Sequence, residues 1–294
     1  MELFPEDQGG FRLYFLMSFI ARVIGTLPES ILQGMATGLG VFLFDVIRLR
    51  RSLMLRNIQI ALPELSYKDR VAMARRSMVH LVTTVIELLW VWSNDMESRV
   101  SIANPEVFSE ALSRDRGAYI LCTHTGNFEA FAMIISRKFA KVTSPVKRVG
   151  SSPGLNRFIM ENRTKQGMDA FVRNKKGAGF LAITRALAEK RVVGFMMDQA
   201  RPGEPRLLLF GKPAKTNTSL GAIWTKCPAP VVAGYCERKG FARHVVHLLP
   251  EVQFSTSDDN AADILSRAAQ CNTIVEQIVR ICPDQYWWVH DRWK

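Results

Sequence analysis

Two apolar periods divide the chain. Up to about residue 95 apolar side chains recur at helical spacing, whereas from about residue 100 short unbroken apolar runs alternate with amphipathic stretches. Residues 11–24 read as a helix with Arg12 and Arg22 near its ends, and residues 31–46 as a second, glycine-bearing helix. The turn signal GTLPES at 25–30 separates them, with Ser30 placed as an N-cap. Residues 68–92 read as one long amphipathic helix carrying Met73, Met78, Val82 and Leu89 at helical spacing.

The second region alternates. Strands are predicted at 119–123, 147–149, 170–172 and 192–197, with helices at 153–167 and 179–190 between them. A further apolar stretch at 207–210 precedes a helix through Ala222 and Trp224. Strands at 230–236 and 244–249 suit a hairpin around Lys239-Gly240, and a helix is predicted over 263–281. The tail, 283–294, holds several aromatics, which disordered tails lack, so it is expected to dock. Unbroken apolar strands alternating with helices predict an α/β fold, a mostly parallel central sheet flanked by helices. An N-terminal helical, membrane-associating region (1–95) would precede an α/β domain (96–294). In such sheets the ligand crevice lies beyond the carboxyl ends of the strands. His124 and Asp198 each follow the last apolar residue of a predicted strand, which places both on one rim.

Charge narrows the partners. The 294 residues carry a net charge of +12, so candidate partners are anionic: nucleic acid, an anionic membrane, a phosphorylated substrate or an acidic carrier protein. There is no nucleic-acid-binding motif. Five scattered cysteines without C-x-x-C spacing argue for a reducing compartment and against a zinc or disulfide framework. Neither N-terminal apolar run reaches the ~20 residues of a spanning helix, and no small-residue cleavage site follows them. They fit an interfacial anchor and a pair of core helices about equally well. The basic run Arg48-Leu49-Arg50-Arg51 suits anionic head groups or a solvated helix face.

The chemistry concentrates in Ala118–Glu129. A strand hands His124 to the sheet mouth, Gly126 allows a tight turn, and Glu129 opens the next helix. Histidine accepts protons near neutrality, and a carboxylate on its other nitrogen would fix the tautomer. A structural histidine at a strand end fits the same spacing. Cys122 reads as a buried strand thiol and His290 as a packing residue of the docked tail.

The ordered motifs resemble a known family. His124-Thr125-Gly126-Asn127-Phe128-Glu129 resembles the H-x4-D/E motif of glycerolipid-type acyltransferases in the version of the late lipid A acyltransferases, with Phe128 where Trp is usual. Arg163 with Gly167, Asp198-Gln199, Phe210-Gly211 followed by Thr216, Asn57 to Pro63, and the terminus Gln285 to Lys294 resemble further segments of that family. The resemblance spans nearly the whole chain. It implies transfer of a fatty acyl chain from a thioester, with acyl carrier protein as donor, to a hydroxyl of an anionic glycolipid of the lipid A type. It implies a location at the cytoplasmic face of the inner membrane, peripheral or singly anchored. No cofactor or metal is implied beyond the acyl thioester co-substrate. His124 would be the general base and Glu129 its brace. Arg163 would stabilise developing charge or hold an acceptor phosphate, and Asp198 would position the site. Asn127, Arg148, Arg157 and Gln199 are the substrate-binding candidates. A lysophospholipid or mannolipid acceptor, and a non-enzymatic basic membrane-binding module, are the competing readings.

Overall fold

Among the described residues seven strands form the central sheet, in the order β1–β9–β8–β2–β5–β3–β4. They are β1 (Val100–Ala103), β2 (Ala118–Gly126), β3 (Val142–Val146), β4 (Asp169–Val172), β5 (Val192–Met196), β8 (Val231–Gly240) and β9 (Arg243–Glu251). Every neighbouring pair is parallel except the β8–β9 hairpin. A computed structural model describes residues 8–146, 152–172, 178–199 and 202–294. The strand expected at 147–149 lies outside these residues, and β3 instead covers a segment whose Ser144-Pro145 reads as loop. Pro145 is tolerated because β3 stops pairing with β5 after Thr143, so no N–H is required of it on that side.

The helices α1 (Gln8–Thr26), α2 (Glu29–Val41), α3 (Arg51–Ala61) and α4 (Tyr67–Trp90) precede the sheet. Then come α5 (Pro105–Ser113), α6 (Phe128–Lys138), α7 (Pro153–Lys165), α8 (Ala178–Ala188), α9 (Ser219–Lys226) and α10 (Asn260–Ile281). A small antiparallel ribbon pairs β6 (Arg206–Leu209) with β7 (Lys212–Lys215). Ser30 is not an N-cap: α2 starts at Glu29 behind Pro28, without a side-chain cap. Its predicted C-terminal part, Phe42–Val46, is π-helical.

Both faces of β2 are buried, which explains its unbroken apolar run. Ala118, Ile120 and Cys122 face a core shared with Phe131 and Ile134 of α6, while Tyr119 and Leu121 face Val275 and Val279 of α10. The N-terminal helices join both cores: Ile24, Leu32 and Ile86 pack in the first, and Met54, Ile58 and Met78 in the second.

No single described helix is long and apolar enough to cross a membrane; one pair, Glu29–Val46 with Arg51–Ala61, passes together but is bent by 92°. Large apolar side chains nevertheless face outward. Phe11, Phe15, Phe19 and Val23 on α1, and Ile31, Met35 and Leu39 on α2, are exposed at steps of four residues. Arg12, Arg22, Arg48 and Arg50 are exposed around them.

One buried carboxylate ties the layers together. Glu87 of α4 has a fully buried side chain and that of Arg238 on β8 is 4% exposed. Glu87 accepts from Arg238 Nη2 at 2.7 Å, from Asn127 Nδ2 at 2.7 Å and from the Ala242 backbone N–H at 2.7 Å. Burial would push its carboxyl pKa up, but the Arg238 charge and His244 outweigh that and hold it well below the usual range. His80, one helical stretch earlier, receives Arg238 Nη1 on Nδ1 at 3.1 Å and is therefore neutral.

Burial, then the Arg238 charge, lowers the His80 pKa from 6.5 to about 4. Between those values the unfolded chain binds a proton that the folded chain excludes, so stability falls as pH falls through this window. Urea unfolding of the wild type should show that loss, with a shallower slope in His80→Gln. Arg238→Met strands the Glu87 charge and should cost about 3–5 kcal/mol at neutral pH; a cost below ~1 kcal/mol would contradict the buried pairing.

Candidate active site

The chain leaves β2 toward β3, β4 and β5 on one side, then returns to β8 and β9 on the other. The switch point therefore lies at the carboxyl end of β2, where a crevice is expected. Register places two residues there. Cys122 pairs with Met196, so His124 and Asp198, two residues further on each strand, reach the same level. Against β8 the register shifts between Cys122 and Gly126, with two extra residues on β2. This bulge frees the His124 backbone N–H, which donates to Asp198 Oδ2 at 2.8 Å. Gly126 closes the bulge at φ 60°. A Cβ there would sit 1.7 Å from the Cys236 carbonyl oxygen, so only glycine fits.

The imidazole of His124 meets Asp198 as well: Nδ1 lies 2.8 Å from Oδ1. Asp198 is 2% exposed. Burial raises its pKa, but the His124 imidazole, the His124 N–H and Arg292 together lower it below the usual carboxylate value. An ionised carboxylate only accepts, so Nδ1 carries a proton, and the neutral ring would have its lone pair on Nε2. That is the tautomer of a general base. Gln199 Nε2 stands 3.4 Å from both ring nitrogens, beside the Cε1 edge between them. Two aromatic rings flank the imidazole edge-on, Phe128 and Trp287, each with its centroid at 4.7 Å.

This corrects the expected brace. Glu129 does not hold His124; both of its oxygens accept from Arg163, from Nε at 3.0 Å and from Nη2. Glu129 stands on the first turn of α6, past the bulge and on the α7 side, where the arginine fork takes both oxygens. Burial works against the Arg163 charge, but Glu129 outweighs it and raises the Arg163 pKa. The pair borders a narrow, open cleft. The cleft is walled by Leu88, Val91, Met96, Ala130, Met133 and Met168. His124 borders a second narrow cleft with Ser77, Leu81, Thr84, Phe128, Tyr286 and Trp287.

The remaining candidates disperse. Asn127 is 2% exposed, lines the first cleft and caps α6: its Oδ1 accepts from Ala130 N at 2.9 Å while its amide nitrogen binds Glu87. Arg157 lies with its guanidinium over the Tyr14 ring of α1, at 4.6 Å, not beside His124. Arg148 lies outside the described residues, as do Lys147, Arg173, Lys175 and Lys176. Cys122 is a buried thiol, pushed up in pKa by burial. The tail docks as expected. Gly126 N donates to Gln285 O at 2.9 Å, Trp287 N to His124 O at 3.0 Å, and Asn57 Nδ2 to the Trp288 and His290 carbonyls at 2.8 Å each.

The profile of the family described as bacterial lipid A biosynthesis acyltransferase matches residues 10–294. The chain belongs to this family. Among its relatives it is 22% identical over 281 residues to the lipid A biosynthesis palmitoleoyltransferase of Escherichia coli K12, covering 91% of this chain and 86% of the relative. It is also 22% identical over 279 residues to the lipid A biosynthesis lauroyltransferase of the same organism, covering 91% and 87% of the two chains. A lipid A biosynthesis acyltransferase of Shigella flexneri matches over 281 residues at 22%.

In this lipid A acyltransferase, residues from distant segments meet at His124. Trp287, Tyr286 and Arg292 come from the tail, and Glu87 from α4 holds the turn behind them. The sequence matches the tail to the family's terminus but gives none of these four a role at the site. For Glu87 the available signal is a lone acid inside the apolar run Val85-Ile86-Glu87-Leu88-Leu89.

Asp198→Asn keeps the side-chain volume but offers Nδ1 an amide that can present a donor. Turnover should fall about 10²–10⁴-fold with little change in unfolding midpoint. Steady-state acyl transfer checks this, and wild-type turnover would remove Asp198 from the base.

Proposed function

We propose that the protein transfers a fatty acyl chain from acyl carrier protein to a hydroxyl of a lipid A precursor or related phosphorylated glycolipid. The observation that carries this reading is the contact of His124 Nδ1 with Asp198, which leaves Nε2 for the incoming hydroxyl. The acceptor oxygen attacks the thioester carbonyl as Nε2 takes its proton. The tetrahedral oxyanion then collapses, the C–S bond breaks, and the proton passes from imidazolium to the leaving thiolate. Asp198 stabilises the transient imidazolium. No acyl-enzyme is needed, because the acceptor oxygen is itself the nucleophile.

The apolar side chains Leu88, Val91, Met96 and Met133 beside Glu129 and Arg163 suit contact with part of an alkyl chain. Arg163, held by two bonds to Glu129, stands at the cleft's edge and suits an acceptor phosphate. The outward apolar side chains of α1 and α2, with their exposed arginines, suit the cytoplasmic face of the inner membrane. The net charge of +12 suits both an acidic carrier and an anionic lipid.

Mass spectrometry of lipids from a strain lacking the gene tests the acceptor. Lipid A short of one acyl chain, restored by the wild-type gene and not by a His124→Ala copy, is the expected result. Unchanged lipid A with an altered phospholipid or mannolipid would overturn it. Phe15→Asp combined with Phe19→Asp should cut sedimentation with anionic phosphatidylglycerol vesicles at least tenfold. Undiminished binding would exclude α1 as the docking face.

A further inference from the structure

We infer that Trp287 is a further catalytic residue, whose indole N–H donates to the thioester carbonyl oxygen as it becomes an oxyanion. The inference rests on the acyl-transfer reading above. Thr125 and Tyr286 form an antiparallel bridge, which sets His124 directly across from Trp287. The Trp287 backbone N–H bonds the His124 carbonyl at 3.0 Å. Directly opposed residues project from the same face of a strand pair, so indole and imidazole meet. Their centroids are 4.7 Å apart. Phe128 stacks parallel to the indole, 8° between planes, and holds its orientation.

The indole nitrogen is the unusual atom. Trp224, Trp288 and Trp293 each donate Nε1 to a backbone carbonyl, at 2.9, 2.6 and 3.4 Å. Trp287 Nε1 is buried with no hydrogen-bond partner among the described residues. An indole N–H can only donate, and a buried donor without an acceptor is costly. In this position the cost has a use. The carbonyl under attack must lie within reach of the hydroxyl whose proton passes to His124 Nε2, and Trp287 borders that same cleft. Arg163, the donor first expected to meet developing charge, borders the other cleft and is committed to Glu129. A donor fixed before the reaction, in a site shielded from water, stabilises an oxyanion without reorganising.

The chemistry balances without further reactants. The hydroxyl oxygen bonds to the carbonyl carbon, the carbonyl π pair moves onto oxygen against the Trp287 N–H, and His124 holds the proton. On collapse the pair returns, the thiolate leaves and takes that proton.

Trp287→Phe keeps an aromatic ring and removes the donor. With dodecanoyl-acyl carrier protein and a lipid A precursor, kcat should fall about 10²–10³-fold, with KM within about threefold of the wild type. Hydrolysis of the thioester by water should fall in parallel, since it passes through the same oxyanion. The apparent pKa of kcat/KM, set by the base, should stay in place. A wild-type kcat overturns the inference, and so does a fall accompanied by a shifted pH profile, which would make Trp287 a support for His124. If the phenylalanine variant does not fold, replacement of Trp287 by β-(3-benzothienyl)alanine, the same shape without the N–H, gives the same readouts. Wild-type protein without thioester turnover would overturn the acyl-transfer reading and this inference with it.

Discussion

A carboxylate with no access to water holds this molecule's parts in register. Glu87 stands on α4, outside the sheet, yet its oxygens reach the cap of α6, a guanidinium on β8 and the turn before β9. Arg238, its counter-charge, exchanges backbone hydrogen bonds with the Gln285 side chain, 2.8 Å in one direction and 3.1 Å in the other. The tail is thereby attached to the same node. A pair so fully removed from water adds little net stability over apolar packing, but loss of one partner leaves an uncompensated charge. Its value is positional: four segments distant in sequence are fixed around the turn that presents His124.

Around that node the catalytic geometry follows from topology. A parallel register puts the ends of β2 and β5 level, and the bulge on β2 turns the His124 N–H toward Asp198. One carboxylate thus receives both the backbone and the ring of the same histidine. The cleft bordered by Glu129 and Arg163 shares no lining residue with the one bordered by His124 and has its own ion pair. The site thus holds two separate carboxylate pairs, Asp198 with His124 and Glu129 with Arg163.

What the sequence reveals follows the range of the interaction. His124 and Asp198 are legible because each ends an apolar run, and a parallel sheet brings such ends together. The family is legible from its ordered motifs, and the docked tail from its aromatics. The partner of His124 was misread because Glu129 is near in sequence, whereas Asp198 is 74 positions away and adjacent only through strand pairing. The capping role of Asn127 is not legible, because a polar side chain beside the motif has the same composition whether it caps a helix or faces a ligand. Strand β3, with Pro145, and β1, only four residues long, carry too little apolar pattern to stand out. Helix α3 hides behind its arginines.

The most direct measurement is turnover of a defined acyl thioester and lipid A precursor by purified His124→Gln beside the wild type. The account predicts a fall of about 10²–10⁴-fold in kcat, an unchanged unfolding midpoint, and loss of the limb of the pH–rate profile that reports the base. Turnover by the variant within a few-fold of the wild type, with that limb intact, would contradict it.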